Sequence, residues 1–107
     1  MYTTEITKPA ESDILDAAIY IMEQLQNPTA ANRLLDEVEK AVQSLDTMPQ
    51  RYAVVKDDTL ARLGYRFMPV LNYLLFYIIR EETNTIVIHR FLYGRRDWFT
   101  ILSETNS

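Results

Sequence analysis

The stretch GYRFMPVLNYLLFYIIREETNTIVIHRFLYGRRDW, Gly64 to Trp98, decides the fold. From Leu63 the period is two, with Leu63, Tyr65 and Phe67 on one side and Gly64, Arg66 and Met68 on the other; Pro69 closes this strand or marks a bulge. The next run, Asn72 to Ile79, is apolar on both sides, which predicts a central strand rather than an edge. Glu81 to Asn84 reads as a hairpin turn, and Ile86 to Tyr93 as the returning strand, ended by Gly94. The doublet Arg95-Arg96 follows, so the run predicts three consecutive strands ending in a cationic turn.

Upstream, Tyr2 to Thr7 is rich in threonine and β-branched residues and suits a short strand stopped at Lys8-Pro9. Ile14, Ala17, Ala18, Ile21 and Leu25 then recur at helical spacing. Ser12 is the expected cap of that helix, although Pro9 would also suit a slightly earlier start. Asn27-Pro28 breaks the first helix and caps a second, whose buried face is Ala31, Leu34, Leu35, Val38, Ala41, Val42 and Leu45 and which gives way near Thr47-Met48-Pro49. Residues 49–61 predict a surface connection with a short helical turn near its end. Residues 97–102 predict a short terminal helix or an irregular segment pinned by aromatics, and Ser103 to Ser107 a frayed tail. The expected fold class is α+β: one domain over 1–107, in the order β-α-α-β-β-β, with a helical hairpin packed on a mainly antiparallel sheet of about four strands. A single pairing of layers is the expected limit.

Composition narrows the function classes. The chain has 107 residues, 48% hydrophobic and 24% charged, which is ordinary for a folded domain. It has no cysteine, which excludes a disulfide framework, a thiolate metal site and a thiol nucleophile. Neither a leader segment nor a run near the roughly 20 apolar residues of a spanning helix is evident, so a cytoplasmic protein without membrane contact is expected. The net charge of −4 conceals an asymmetry: residues 1–50 hold three basic residues against nine acids, and residues 51–107 hold eight against six. The two halves therefore present different fields to partners.

The residues with chemical potential lie in the C-terminal half. Arg66, Arg90, Arg95 and Arg96, with Asp97 and Trp98, are candidates for binding a partner. Each arginine has a structural alternative, an ion pair within the chain, and exposed pairs of that kind contribute only about 0–1 kcal/mol. His89 is the single histidine. On its strand it lies on the face opposite Arg90, where packing competes with general-base chemistry, and no second histidine or cysteine exists to make it a metal ligand. Tyr65, Tyr73, Tyr77 and Tyr93 suit cross-strand packing; Tyr93, beside Gly94, is the best exception. The acids Asp13, Asp16, Glu23, Asp36, Glu37 and Glu39 read as solvated helix faces. No cofactor is called for.

The order of elements, with Pro49 after the second helix, Gly64-Tyr65-Arg66, Asn72-Tyr73, Tyr77 and the ending Arg95-Arg96-Asp97, resembles the RelE/ParE superfamily of bacterial toxins over nearly the whole chain. The resemblance implies the toxin of a type II toxin–antitoxin, or plasmid stabilisation, module, with a cognate antitoxin as partner and possible homodimers. RelE-type members are metal-independent, ribosome-dependent mRNA interferases, and on that reading Arg66, Arg96, His89 and Tyr93 would be the catalytic group. Something must activate the 2′-hydroxyl, stabilise charge at phosphorus and protonate the leaving oxygen. This sequence departs from that pattern: Leu74 follows Tyr73 where the RelE type has an arginine, and Met68 stands at a lysine position. The ParE type lacks the nuclease set and poisons DNA gyrase by binding, and the resemblance favours it. An inactive descendant that only binds is the third possibility.

Overall fold

A computed structural model describes residues 2–105. Strand β1, Thr3–Ile6, leads into helix α1, Lys8–Ile19. The cap of α1 is Thr7 rather than Ser12: its Oγ1 accepts the Ala10 N–H at 3.2 Å and donates to the His89 carbonyl at 3.0 Å. The helix thus starts five residues earlier than the Ser12 reading, with Pro9 in its first turn, because Thr7 is anchored to a distant strand as well as capping locally. Helix α1 ends in one π-helical turn, Tyr20–Gln24. Asn27 then caps α2, Pro28–Ser44, its Oδ1 accepting the Ala30 N–H at 3.1 Å as its position before Pro28 predicts.

A 3₁₀ turn, Pro49–Arg51, and a short helix α3, Asp58–Arg62, fill the connection. Asp57 caps α3 through a 2.9 Å bond from the Leu60 N–H. Leu63 therefore terminates a helix instead of opening a strand, and Gly64 turns the chain at φ +89°, a conformation costly for any residue with a Cβ. Strand β2 begins at Arg66 and runs to Val70, β3 is Tyr73–Arg80, β4 is Thr85–Tyr93 and α4 is Trp98–Thr105. Helix α4 extends into residues expected to fray; its first turn is capped by Asp97, which accepts from the Thr100 N–H and hydroxyl at 3.2 and 2.8 Å.

The sheet order is β1-β4-β3-β2. The β2–β3–β4 meander is antiparallel, and β1 joins β4 in parallel with Thr3 opposite Thr85. Strand β3 is central, as its two-sided apolarity predicts, and Pro69 sits on the edge strand β2, where a missing N–H breaks no ladder on the solvent side. Two cores follow. On one face Leu34, Val38, Ala41 and Leu45 of α2 pack with Ala10 and Ala17 of α1 on Met68, Leu75, Tyr77, Ile86, Ile88 and Phe91. On the other, Leu60 of α3 and Leu102 of α4 close over Tyr65, Phe76 and Leu92. The molecule therefore has three layers, not the single pairing expected, because β3 and β4 carry apolar residues on both faces and each face must be covered.

Strand β4 contains a bulge. Phe76 pairs with Arg90 and Tyr77 with Ile88, leaving His89 as the extra residue. The bulge changes which side chains share a face: Ile88 and Phe91, three apart, both enter the hairpin-side core. None of the helices among the described residues is long and apolar enough to cross a membrane.

Candidate functional site

The arginines singled out from the sequence separate into two pairs. Arg66, at the start of β2, turns its guanidinium back on the 49–54 connection, where Nη1 donates to the carbonyls of Gln50 at 3.1 Å and Tyr52 at 2.6 Å. Arg90 forms a bidentate pair with Asp13 of α1, Nε to Oδ2 at 2.6 Å and Nη2 to Oδ1 at 2.8 Å, and its Nη1 reaches the Thr105 hydroxyl of α4 at 3.2 Å. The hydrogen bond to Asp13 holds Arg90 charged. Asp13 also accepts the Phe91 N–H at 3.0 Å, satisfying the edge of β4 beyond the last residue of β1. It is 12% exposed, so it is not the solvated helix-face acid its sequence position suggests.

Arg95 and Arg96 differ in kind. They lie exposed in the turn between β4 and α4, and neither guanidinium has an ion pair or side-chain hydrogen bond among the described residues. Asp97, their neighbour, is committed to capping α4 through Thr100, and the hydroxyl hydrogen bond first, the backbone one second, holds its carboxyl below the ordinary range. Trp98 covers the back face of the sheet, its ring 5.6 Å from that of Phe76.

The tyrosines and the histidine separate in the same way. Tyr77 is fully buried and donates to the Pro49 carbonyl at 2.6 Å; burial pushes its phenol up to about 12, partly opposed by Arg66. His89 meets Tyr65 edge-on at 5.3 Å between ring centroids, with Nδ1 3.4 Å from the Tyr65 hydroxyl. Its Nε2 is buried with no hydrogen-bond partner among the described residues, and burial, with a smaller contribution from Arg80, pushes its pKa down. At neutral pH it is an uncharged packing residue. Tyr93 is 40% exposed and shares a groove of about 640 Å³ with Arg96. The opposite wall is Tyr20, Ile21 and Leu25 from the end of α1. Tyr20 carries no signal in the sequence reading, and Leu25 and Asp13 read there as a core-facing helix residue and a solvated acid, because only tertiary contacts bring all three to β4; an exposed tyrosine at the end of an amphipathic helix is the one local hint.

The positions where an RNA-cleaving set would need charge are apolar and engaged. Met68 is 6% exposed in the hairpin-side core, and Leu74 packs against the opposite cluster. Among the described residues no group of three or more His, Cys, Asp or Glu side chains is placed to hold a metal ion.

Solved structures share this architecture. A chain of the RelBE2 toxin–antitoxin complex from Mycobacterium tuberculosis superposes with a TM-score of 0.65 at 24% identity, covering 86% of this chain and 96% of that one. A chain of the chromosomal ParDE TA system from P. aeruginosa gives a TM-score of 0.69 at 16% identity, covering 87% and 96%. At such identities the likeness is one of fold. No curated protein matches the sequence. The family model for the ParE toxin of the type II toxin–antitoxin system parDE matches residues 4–98, and the chain belongs to that family.

Proposed function

We propose that this ParE-type toxin acts by binding, without cleaving RNA, that DNA gyrase is the protein it poisons, and that a cognate antitoxin neutralises it. One observation carries the reading: of the groups an RNA-cleaving site would use, all but Arg96 and Tyr93 are absent or occupied. Met68 and Leu74 are apolar, Arg66 is held by two backbone carbonyls, and the Nε2 of His89 is shut away from solvent. Transferring a proton from a 2′-hydroxyl needs a base within hydrogen-bond reach of it, and a buried imidazole has none. What stays available is recognition chemistry, the exposed guanidiniums of Arg95 and Arg96, which have no side-chain partner among the described residues. Two solved toxin–antitoxin systems of the same fold support an antitoxin partner. On this chain its acidic arm lies against Arg95 and Arg96. The groove of about 450 Å³ between α1 and α2, with Ile6, Ile14, Leu15, Leu35 and Val42 in its lining, offers a seat for an apolar segment of the same antitoxin.

The test is expression of the chain alone in bacteria, followed by DNA-damage induction and translation rate, with purified toxin then assayed against gyrase on plasmid DNA. Growth arrest with DNA damage and trapped gyrase–DNA cleavage complexes is the expected result. Arrest of protein synthesis with cut mRNA and no DNA damage would sink it. The alternative, an mRNA interferase, draws on one observation: Tyr93 and Arg96 line a common groove. That reading requires ribosome-dependent cleavage lost in Arg96→Ala.

A further inference from the structure

Three chain segments with unusual backbone meet at one pole of the molecule. Helix α1 unwinds there into its π-helical turn, Tyr20–Gln24, and Gln26 follows at φ 48°. The β2–β3 connection places Leu71 at φ 56° with its side chain 46% exposed, so an apolar residue holds a left-handed conformation without the compensation of burial. The end of β4 passes so close that a Cβ on Gly94 would stand 3.2 Å from the Asn72 carbonyl, which accepts the Gly94 N–H at 2.9 Å. Strained backbone and π-turns concentrate where a surface is shaped for recognition.

These segments frame the groove of Tyr93 and Arg96. Tyr73 forms part of its wall and is itself fixed, stacked on Phe91 at 4.9 Å and 8° and edge-on to Tyr93 at 5.6 Å. Tyr20 and Leu25 are 53% and 57% exposed although both border it. Rigid aromatic walls lose little entropy on binding and suit an aromatic anchor. The charges select its neighbours. Asp13 is neutralised by Arg90, which leaves Asp16 as the one acid of the lining with no ion pair among the described residues; the lining also holds Arg96, and Arg95 is the adjacent residue. The local field is positive on a protein of net charge −4, and the cations stand beside the aromatic walls. A nucleic acid would bring further phosphates toward Asp16 and toward an acidic molecule. A peptide with an aromatic residue beside a carboxylate carries far less negative charge than a polynucleotide and can pair that charge with Arg96.

The geometry points to a peptide-docking groove at this pole, in which an aromatic side chain of the toxin's protein target enters between the α1 turn and Tyr93 while an adjacent carboxylate pairs with Arg96. The inference rests on the reading that the toxin acts by binding a protein, and it names the chemistry of the segment bound.

Two arms test it. Isotope-labelled toxin is titrated with acetyl-Glu-Trp-Asp-amide and with acetyl-Lys-Trp-Lys-amide, and the backbone amides are followed by NMR. The expected result is saturable shifts at Leu25, Gly94 and Arg96 with the acidic peptide, and affinity at least about tenfold weaker for the basic one. No shifts at these amides, or equal affinity for both peptides, overturns the groove, whatever the toxin does in cells. In the second arm, Tyr20→Ala and Leu25→Glu, checked for unchanged thermal melting, are expressed in bacteria with and without antitoxin. Loss of growth arrest with the antitoxin complex retained is expected, and growth arrest equal to wild type overturns the assignment. Should the wild type bind the acidic peptide at these amides yet leave gyrase untouched, the groove stands and gyrase as the target falls.

Discussion

Arg90 and Arg96 are six positions apart, but one belongs to the architecture and the other to the surface. The body of β4 turns its cation inward to Asp13 and Thr105 and so ties α1, β4 and α4 together; the turn that follows leaves its two cations without side-chain partners among the described residues. Residue type alone does not distinguish the two roles. Position relative to the end of the ladder does, since within β4 the neighbouring elements supply carboxylates and carbonyls, whereas beyond Tyr93 the chain leaves them.

The sharpest way to break that contrast is Asp13→Ala. It strands a guanidinium that is 18% exposed and orphans the Phe91 N–H, and the expected loss is about 2–4 kcal/mol in urea unfolding, towards the lower side of the range for fully buried pairs. A loss under about 0.5 kcal/mol would place Arg90 with the surface cations. Tyr77→Phe comes next. It removes a buried 2.6 Å bond and leaves the Pro49 carbonyl unmet, so a loss of about 1–2 kcal/mol is expected from the same measurement.

A smaller effect is expected from His89. Its folded pKa lies below the ordinary 6.5, so the unfolded chain binds the proton more tightly. Stability from this group is full above about pH 6.5, declines as the pH falls toward the depressed folded value, and changes no further below it. Urea midpoints at pH 7.5 and 5.5 should differ more for wild type than for His89→Leu, and equal differences would refute a buried neutral imidazole. The smallest effect on stability belongs to Arg95→Ala/Arg96→Ala, expected to stay within about 0.5 kcal/mol. Its consequence lies in binding: calorimetry should show weaker antitoxin affinity, and an unchanged affinity would mean that the arm docks elsewhere.

Local signals in the sequence were sufficient for the helical hairpin, the Asn27 cap, the meander and the central place of β3, since each depends on periodicity or on one residue beside a proline. Thr7 and Ser12 are chemically similar caps, and what chooses Thr7 is its bond to the carbonyl of His89, 82 residues away. Both short helices of the third layer are legible, but Asp58–Arg62 carries too few residues for a period to show which face it buries, so its packing on the sheet is not. The site was legible as a list of arginines but not as a division among them. Asp13 reads as an exposed helix acid until Arg90 is brought against it, and the β4 bulge at His89 shifts the alternation on which any assignment of faces rests.

The parallel pairing of β1 with β4 has a temporal side. Thr3 finds its place only opposite Thr85, so β1 leaves the ribosome well before its partner β4 and waits for it. The hairpin and the meander close locally and early, but the sheet edge they leave open is filled by a contact of long sequence separation, the slow kind to form. A truncated product lacking β4 keeps neither the partner of β1 nor the turn bearing Arg95 and Arg96. For a toxin of this family, the topology couples completion of the sheet to acquisition of the cationic turn proposed above to bind its partners.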